Sequence, residues 1–479
     1  MILVTAAVRT GLGASAWSFA LTGSAQDPAG QWPQFRGPGG SGVAEEQKPP
    51  VEFGPDKNVK WKVKAPGGWS SPIVAGDKLV ITAFDDGKLF TVAYDRVSGK
   101  EVWRTHAPAE RIERYQKTES SPASSTPATD GKQIVSYFGS CGLFCYDLNG
   151  TELWKYPLPT AVMKQNFGTG VSPIIVDGLV ILVRDVTGDS KIIAVDLASG
   201  KLKWERKRLS PVSYGTPVVW QTPAGKQIVA PGHARLIAYD LEKGAEKWSV
   251  SGIPTACCTS PVAAEAILFF AGGSSSSDDE KVPTFEELLE KFDKDKDGML
   301  SRDEAGEFKD YFDHLDEDMD GKLSVREWDA LMKFAIEGKD SAFVVAPGGK
   351  GDVTESHVPW KTTKGLPFVA SGIIYSGQCI MVSNAGIVTA HDAKTGKVTG
   401  KQRVAEGQYY ASPVAANGHI YFTSVADGTV TVLKMATGKA EVAVTNPKLD
   451  ERVGATPAIA DNTLYIRTAG HIYAFAERK

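Results

Sequence analysis

Two twelve-residue stretches carry the clearest chemistry in this chain. Residues 293–304 read Asp-Lys-Asp-Lys-Asp-Gly-Met-Leu-Ser-Arg-Asp-Glu, and residues 316–327 read Asp-Glu-Asp-Met-Asp-Gly-Lys-Leu-Ser-Val-Arg-Glu. Each sets Asp at its first, third and fifth places, Ser at its ninth and Glu at its last. Alternating carboxylates offer oxygen and nothing softer, the donor set of a hard cation such as Ca²⁺, which takes about six to eight oxygens. Gly298 and Gly321 stand where the chain must turn sharply. Apolar residues at helical spacing flank the stretches: Phe285, Leu288, Leu289 and Phe292; then Phe308, Tyr311, Phe312 and Leu315; then Trp328, Leu331 and Met332.

Both stretches resemble the EF-hand calcium loop. The resemblance implies two bound Ca²⁺ ions. Asp293, Asp295 and Asp297, with Asp316, Asp318 and Asp320, would supply side-chain oxygens. Met299 and Lys322 would lend backbone carbonyls, Ser301 and Ser324 would act through water, and Glu304 and Glu327 would close each cage bidentately. Leu300 and Leu323 should meet in the core between the loops. The loops start 23 residues apart, so one continuous helix is expected to leave the first and enter the second.

Elsewhere catalytic signals are sparse. The five cysteines, Cys141, Cys145, Cys257, Cys258 and Cys379, lack haem or zinc spacing. No nucleophile triad, paired carboxylates or phosphate-cradling loop stands out. Asp185, beside Arg184, has no partner identifiable from sequence.

The elements that would position such groups come from repeats. One phrase is an acid, a turn with Gly, then Trp: Asp95…Gly99…Trp103, Asp147…Gly150…Trp154, Asp196…Gly200…Trp204 and Asp240…Gly244…Trp248. Weaker copies hold Gly400 and Val442 at the Trp place. A second phrase is a hydroxyl residue before Pro, opening an alternating strand: Ser71, Thr126, Ser172, Thr216, Ser260, Ser412 and Thr456, with Ser371-Gly372 in the same place without Pro. The steps are 55, 46, 44, 44, 111, 41 and 44 residues; removing residues 278–340 shortens the long one to 48. That removable segment carries 22 Asp and Glu against 10 Lys and Arg, net −12, and leaves +8 for the remainder. Four short strands per period of about 44 residues mark a propeller blade. The expected fold is all-β: an eight-bladed β-propeller with a small all-α EF-hand domain inserted in blade five. The last copy has room for three strands, so Asn58–Val63, with Trp61, is expected to complete it. The Pro/Gly-rich leader before it contributes no strand, and its removal is expected to be mild.

The Asp-x-x-(Thr/Ser)-Gly-Lys-x-x-Trp repeats resemble the PQQ-type propeller family, and Trp32-Pro-Gln-Phe-Arg-Gly-Pro38 resembles the start of BamB-like exported propellers. That resemblance implies three alternatives: a binding or scaffold protein, a PQQ-dependent quinoprotein dehydrogenase, or a BamB-like outer-membrane assembly factor. Residues just before each strand-opening phrase should line the axial mouth, giving a pocket of Trp69, Tyr214, Cys257, Cys258 and Tyr410 for a protein, peptide or small-molecule ligand. Quinoprotein alcohol dehydrogenases use an adjacent-cysteine disulfide beside PQQ, which Cys257-Cys258 would match; free thiols facing opposite ways are the alternative, and no PQQ site is identifiable. The long loop from His106 to Ser121 would either cover the mouth or stand in solvent.

Arg9, an apolar run from Gly11 to Leu21 and small residues at 23–25 read as a secretory signal. The expected organisation is a signal peptide (1–25), a leader (26–57), propeller (58–273), an EF-hand pair (278–340) and propeller again (341–479). The hydrophobic share of 42% and charged share of 23% exclude global disorder. A periplasmic or otherwise extracytoplasmic monomer is expected, with no transmembrane segment in the mature chain and no nucleic-acid partner.

Overall fold

The structure is a computed structural model that describes residues 30–163, 166–264, 266–273, 283–316, 318, 320–436 and 439–477. The expected signal peptide lies outside them. Antiparallel hairpins follow one another along the chain because turn residues accept the required backbone. In blade three, Asp177 (φ 48°) and Gly178 (φ 75°) both adopt the left-handed region that a tight two-residue hairpin demands. Such hairpins join strands into seven sheets of four strands and one of five. These are eight blades around one axis. Blade one comprises Ile73–Ala75, Lys78–Asp85, Lys88–Asp95 and Glu101–Ala107.

The strand-opening hydroxyls bind the blades to one another. Each lies buried at the head of an innermost strand, and each accepts the backbone N–H of its counterpart in the preceding blade. Ser71 N donates to Thr126 Oγ1 (2.9 Å), Thr126 N to Ser172 Oγ (2.9 Å), Ser172 N to Thr216 Oγ1 (3.0 Å) and Thr216 N to Ser260 Oγ (2.9 Å). Ser260 N donates to Ser371 Oγ (2.9 Å), Ser371 N to Ser412 Oγ (3.0 Å), Ser412 N to Thr456 Oγ1 (2.9 Å), and Thr456 N back to Ser71 Oγ (2.9 Å). The circle is complete. Ser371, the copy without Pro, takes its place like the rest, so the hydroxyl rather than the Pro makes the joint.

Further out, tryptophans dock one blade on the next. A Cβ on Gly99 would fall 2.7 Å from the Trp61 ring, and one on Gly150 2.6 Å from Trp103, so only glycine admits the indole. The indole N–H then donates to a carbonyl of the same turn: Trp61 to Arg96 (3.0 Å), Trp103 to Leu148 (3.0 Å), Trp154 to Leu197 (2.7 Å), Trp204 to Leu241 (3.1 Å) and Trp360 to Ala393 (3.1 Å). Trp248 breaks the pattern and donates to Gln227 Oε1 of its own blade (2.7 Å). Blade five has no Asp-to-Gly turn to receive it. Instead Gly351–Asp352 pairs parallel to Trp248 and Ser249 as the fifth strand of blade four.

Blade eight closes the ring from both ends of the chain. Val59–Lys64 runs antiparallel to His471–Phe475, with Trp61 buried. The leader departs from expectation. Although it adds no regular strand, Trp32 and Arg36 are fully buried and Phe53 nearly so. Thr129 N donates to Pro33 O (2.8 Å), Arg36 Nη2 to Gly372 O (2.5 Å), and Ala415 N to Gly42 O (2.8 Å). These partners lie on the inner strands of blades two, six and seven, so the leader crosses the axis. Its removal exposes apolar surface and orphans backbone groups.

Thr456→Val keeps the shape but removes the acceptor of the buried Ser412 N–H, and should cost about 1–3 kcal/mol in urea unfolding, whereas Thr456→Ser should be nearly neutral. Deleting residues 1–57 should lower the melting temperature markedly, and deleting 1–66, which also opens a sheet edge, should give aggregation.

Candidate functional site

The acidic insert leaves blade five between paired strands: Leu268–Gly272 precedes it and Ser341–Val345 follows, in register with Gly272 opposite Ser341. Its first helix, α1 (Phe285–Phe292), starts where Thr284 and Glu287 form a reciprocal capping box. The helix α3 (Val325–Glu337) ends the insert. Between the loops a 3₁₀ helix, Gly306–Tyr311, runs into one α turn, α2 (Phe312–Leu315). The single continuous helix expected there is not formed. Gly306 adopts φ 55°, and a Cβ on it would fall 2.5 Å from Phe292 Cζ, so helical geometry cannot begin before it. Leu300–Ser301 pairs with Lys322–Leu323, burying both leucines beside Phe285, Leu288, Phe312 and Trp328.

This small core fixes the loops back to back. Carboxylate oxygens of Asp293, Asp295 and Asp297 lie within 4.8 Å of one another, as do those of Asp316, Asp318 and Asp320. Loop N–H groups hold the first carboxylates: Lys296 N (2.8 Å) and Gly298 N (3.1 Å) donate to Asp293, and Asp320 N and Gly321 N (both 3.0 Å) to Asp316. Gly298 (φ 79°) and Gly321 (φ 83°) make the turns. Ser301 and Ser324 hydroxyls donate to Glu304 (2.6 Å) and Glu327 (2.7 Å). The Ser301 hydroxyl and backbone N–H bonds push the Glu304 carboxyl down to about 2, so it stays ionised. Lys322 pairs with Asp297 and ties the second loop to the first. The donors are oxygen throughout and fit Ca²⁺. Asp316 and Gly321, with Arg302 and Phe312, face Gly188–Lys191, Glu205 and Lys207 of blade three across a cleft of about 720 Å³.

At the propeller mouth the five expected pocket residues divide. Trp69 and Tyr410 come together, with ring centroids 6.2 Å apart. Tyr214 lies elsewhere on the rim, where its N–H donates to Cys257 O (2.8 Å). Cys257 and Cys258 are free thiols. Cys257 turns into the core between blades four and five, with its sulfur against Thr259, while Cys258 is only partly buried. Burial pushes the thiols up to about 11 and about 12, away from reactive thiolate.

The loop from His106 to Ser121 covers part of the mouth. Tyr410 OH donates to Glu119 Oε2 (2.8 Å). Glu113 is buried, accepting from Thr169 N and Oγ1 (both 3.0 Å). The space left beside Trp69 is about 120 Å³, below the ~300–1,000 Å³ of pockets that bury a cofactor-sized ligand. Asp185, without a partner in sequence, is fully paired in three dimensions. Arg208 Nε and Nη2 donate to it (2.7 and 3.0 Å), as does Ser213 Oγ (2.6 Å). Neither Glu113 nor the Asp185–Arg208 pair announces itself in sequence, because nothing local distinguishes these residues from solvated charges.

A sequence profile described as outer membrane protein assembly factor BamB matches residues 88–264 and 336–478, about two thirds of the chain. The chain belongs to this BamB propeller family. A second profile, EF hand, matches residues 285–304 and 308–332. Among solved structures, BamB from Moraxella catarrhalis is similar at TM-score 0.51 and 14% identity, covering 87% of this chain and 98% of its own. The computationally designed Ika8 protein aligns at TM-score 0.56 and 11% identity, covering 91% and 99%. A quinohemoprotein alcohol dehydrogenase from Comamonas testosteroni aligns at TM-score 0.50 and 12% identity, covering 94% and 81%. At such identities the likeness is one of fold. No curated protein matches the sequence. Among the described residues, no helix of this BamB-family chain is long and apolar enough to cross a membrane.

Burial raises the Glu113 carboxyl from 4.5 to about 8. Between these values the folded protein holds a proton that the unfolded chain has lost, so stability falls as pH rises through the window. Glu113→Gln should remove that slope. In thermal melts the variant should gain on wild type as pH rises from 4 to 8. Identical pH slopes would mean that the Glu113 carboxyl titrates alike in the folded and unfolded chain.

Proposed function

We propose that this protein is an exported β-propeller scaffold or binding protein whose EF-hand pair carries two Ca²⁺ ions through Asp293, Asp295, Asp297, Met299, Ser301 and Glu304 and through Asp316, Asp318, Asp320, Lys322, Ser324 and Glu327. The observation that carries the scaffold reading is the closure of the axis: the 106–121 loop narrows the mouth beside Trp69 to about 120 Å³, and the buried leader crosses the inner strands. Among the described residues the space beside Trp69 is smaller than a cofactor needs, which supports a ring that works through its faces. The family resemblance and the leader sequence support a periplasmic location.

The dehydrogenase alternative requires PQQ. The residues fit that group poorly. Cys257 points into the core, the thiols are unpaired, and Glu119 engages Tyr410 beside Trp69. The absence of quinone absorbance and dye-linked alcohol oxidation after incubation with PQQ and Ca²⁺ is therefore expected. Stoichiometric PQQ binding with turnover would overturn the scaffold reading.

Calorimetric titration of the full chain should show two Ca²⁺ sites with dissociation constants of about 10⁻⁶ to 10⁻³ M. Glu304→Gln combined with Glu327→Gln should abolish both. Retention of two ions by that double variant would place the sites elsewhere.

A further inference from the structure

Blades eight and one meet at the mouth around a small pocket lined by Trp69, Lys117, Arg452, Gly454, Arg467 and Thr468, among others. Its shape comes from the joint itself. A Cβ on Gly454 would lie 2.0 Å from Trp69 Cε3, so the indole rests directly on the backbone of blade eight. The Arg452 guanidinium lies over the same indole, 5.5 Å from the ring centroid. Cation–π contact fixes its plane but satisfies none of its N–H donors. Its Nε is buried without a hydrogen-bond partner, and among the described residues the guanidinium makes no ion pair.

Arg467, behind it, is fully buried. Its Nη1 donates to Ser70 O (3.0 Å), Ser70 Oγ (2.6 Å) and Thr82 O (2.9 Å), its Nη2 donates to Pro66 O (3.1 Å), and its Nε has no partner. Every acceptor is neutral. Burial without a carboxylate lowers its guanidinium to about 10, still protonated at neutral pH. A buried charge left uncompensated projects its field into the nearest cavity. The nearby carboxylates keep their charge but turn their oxygens to other donors, Glu119 to Tyr410 and Glu451 to Thr468, Gly470 N and His471, so neither bonds Arg452 or Arg467. Lys117 adds a third positive charge from the covering loop.

We propose that this pocket binds a small oxyanion, a phosphate or carboxylate group, which Arg452 grips while stacked on Trp69 and whose charge answers Arg467. The cavity of about 120 Å³ suits a single such group rather than a large cofactor. Guanidinium is matched to it because two parallel N–H bonds reach two oxygens at once. The site does not depend on the calcium loops or on the scaffold reading.

The test is titration of the full chain with inorganic phosphate and, separately, with acetate at constant ionic strength set by sodium chloride, followed by heat and tryptophan fluorescence. At least one anion should give a saturable one-site isotherm. Arg452→Gln should weaken it at least about tenfold, the loss of a charge-assisted contact. Lys117→Gln, on an exposed loop residue, should weaken it less, and Arg206→Gln on the outer strand of blade three should leave it unchanged. The bound anion should also raise the melting temperature of wild type but not of Arg452→Gln, which separates binding from general salt effects. No saturable binding of either anion, or an isotherm that both pocket variants leave unchanged, overturns the proposal.

Discussion

The circle of eight hydroxyl-to-amide bonds sets the geometry of everything outside it. Each joint uses one side-chain oxygen to satisfy one buried backbone N–H, and a missing acceptor there would leave that donor stranded away from water. Because Thr456 returns to Ser71, no blade is terminal and no innermost strand is an end. The tryptophan docks repeat the same logic farther out, with glycine making room for each indole. Between blades four and five, where no glycine turn receives Trp248, the chain adds a strand to blade four instead.

This closed frame explains how blade five tolerates a helical insertion. The insert leaves and returns through adjacent, paired positions on neighbouring strands, so the ladder continues around it. The loops of the insert then owe their shape to their own core: Leu300 and Leu323 pair back to back, and the acids of each loop are held by that loop's N–H groups. The frame also explains the mouth. Residues preceding each hydroxyl are carried to a common rim, but what stands there depends on blade and loop, so Trp69 and Tyr410 meet while Cys257 turns into the core.

Legibility in the sequence followed the distance between partners. The EF-hand loops could be read residue by residue because the acids and hydroxyls of each fall within twelve consecutive positions. The blade count was readable because hydroxyl, turn and Trp recur at a period. The reason for the hydroxyl was not, since each acceptor sits one blade away from its donor. The leader looked dispensable because it lacks alternation, yet Trp32 and Arg36 are buried by blades distant in sequence. Glu119 and Tyr410 are 291 residues apart, and no local pattern joins them. Gly306 was visible, but its left-handed backbone against Phe292, which prevents a continuous helix, is a packing fact.

We propose that a closed propeller carries an EF-hand insert that binds Ca²⁺ and faces blade three. Hydrogen exchange of the full chain with and without Ca²⁺ tests it most directly. Protection should rise across 283–340 and in the facing segment 188–207, while the innermost strands that carry the hydroxyl circle keep the same slow exchange in both states. Calcium-dependent changes spread through the inner strands, or none within the insert, would contradict this account.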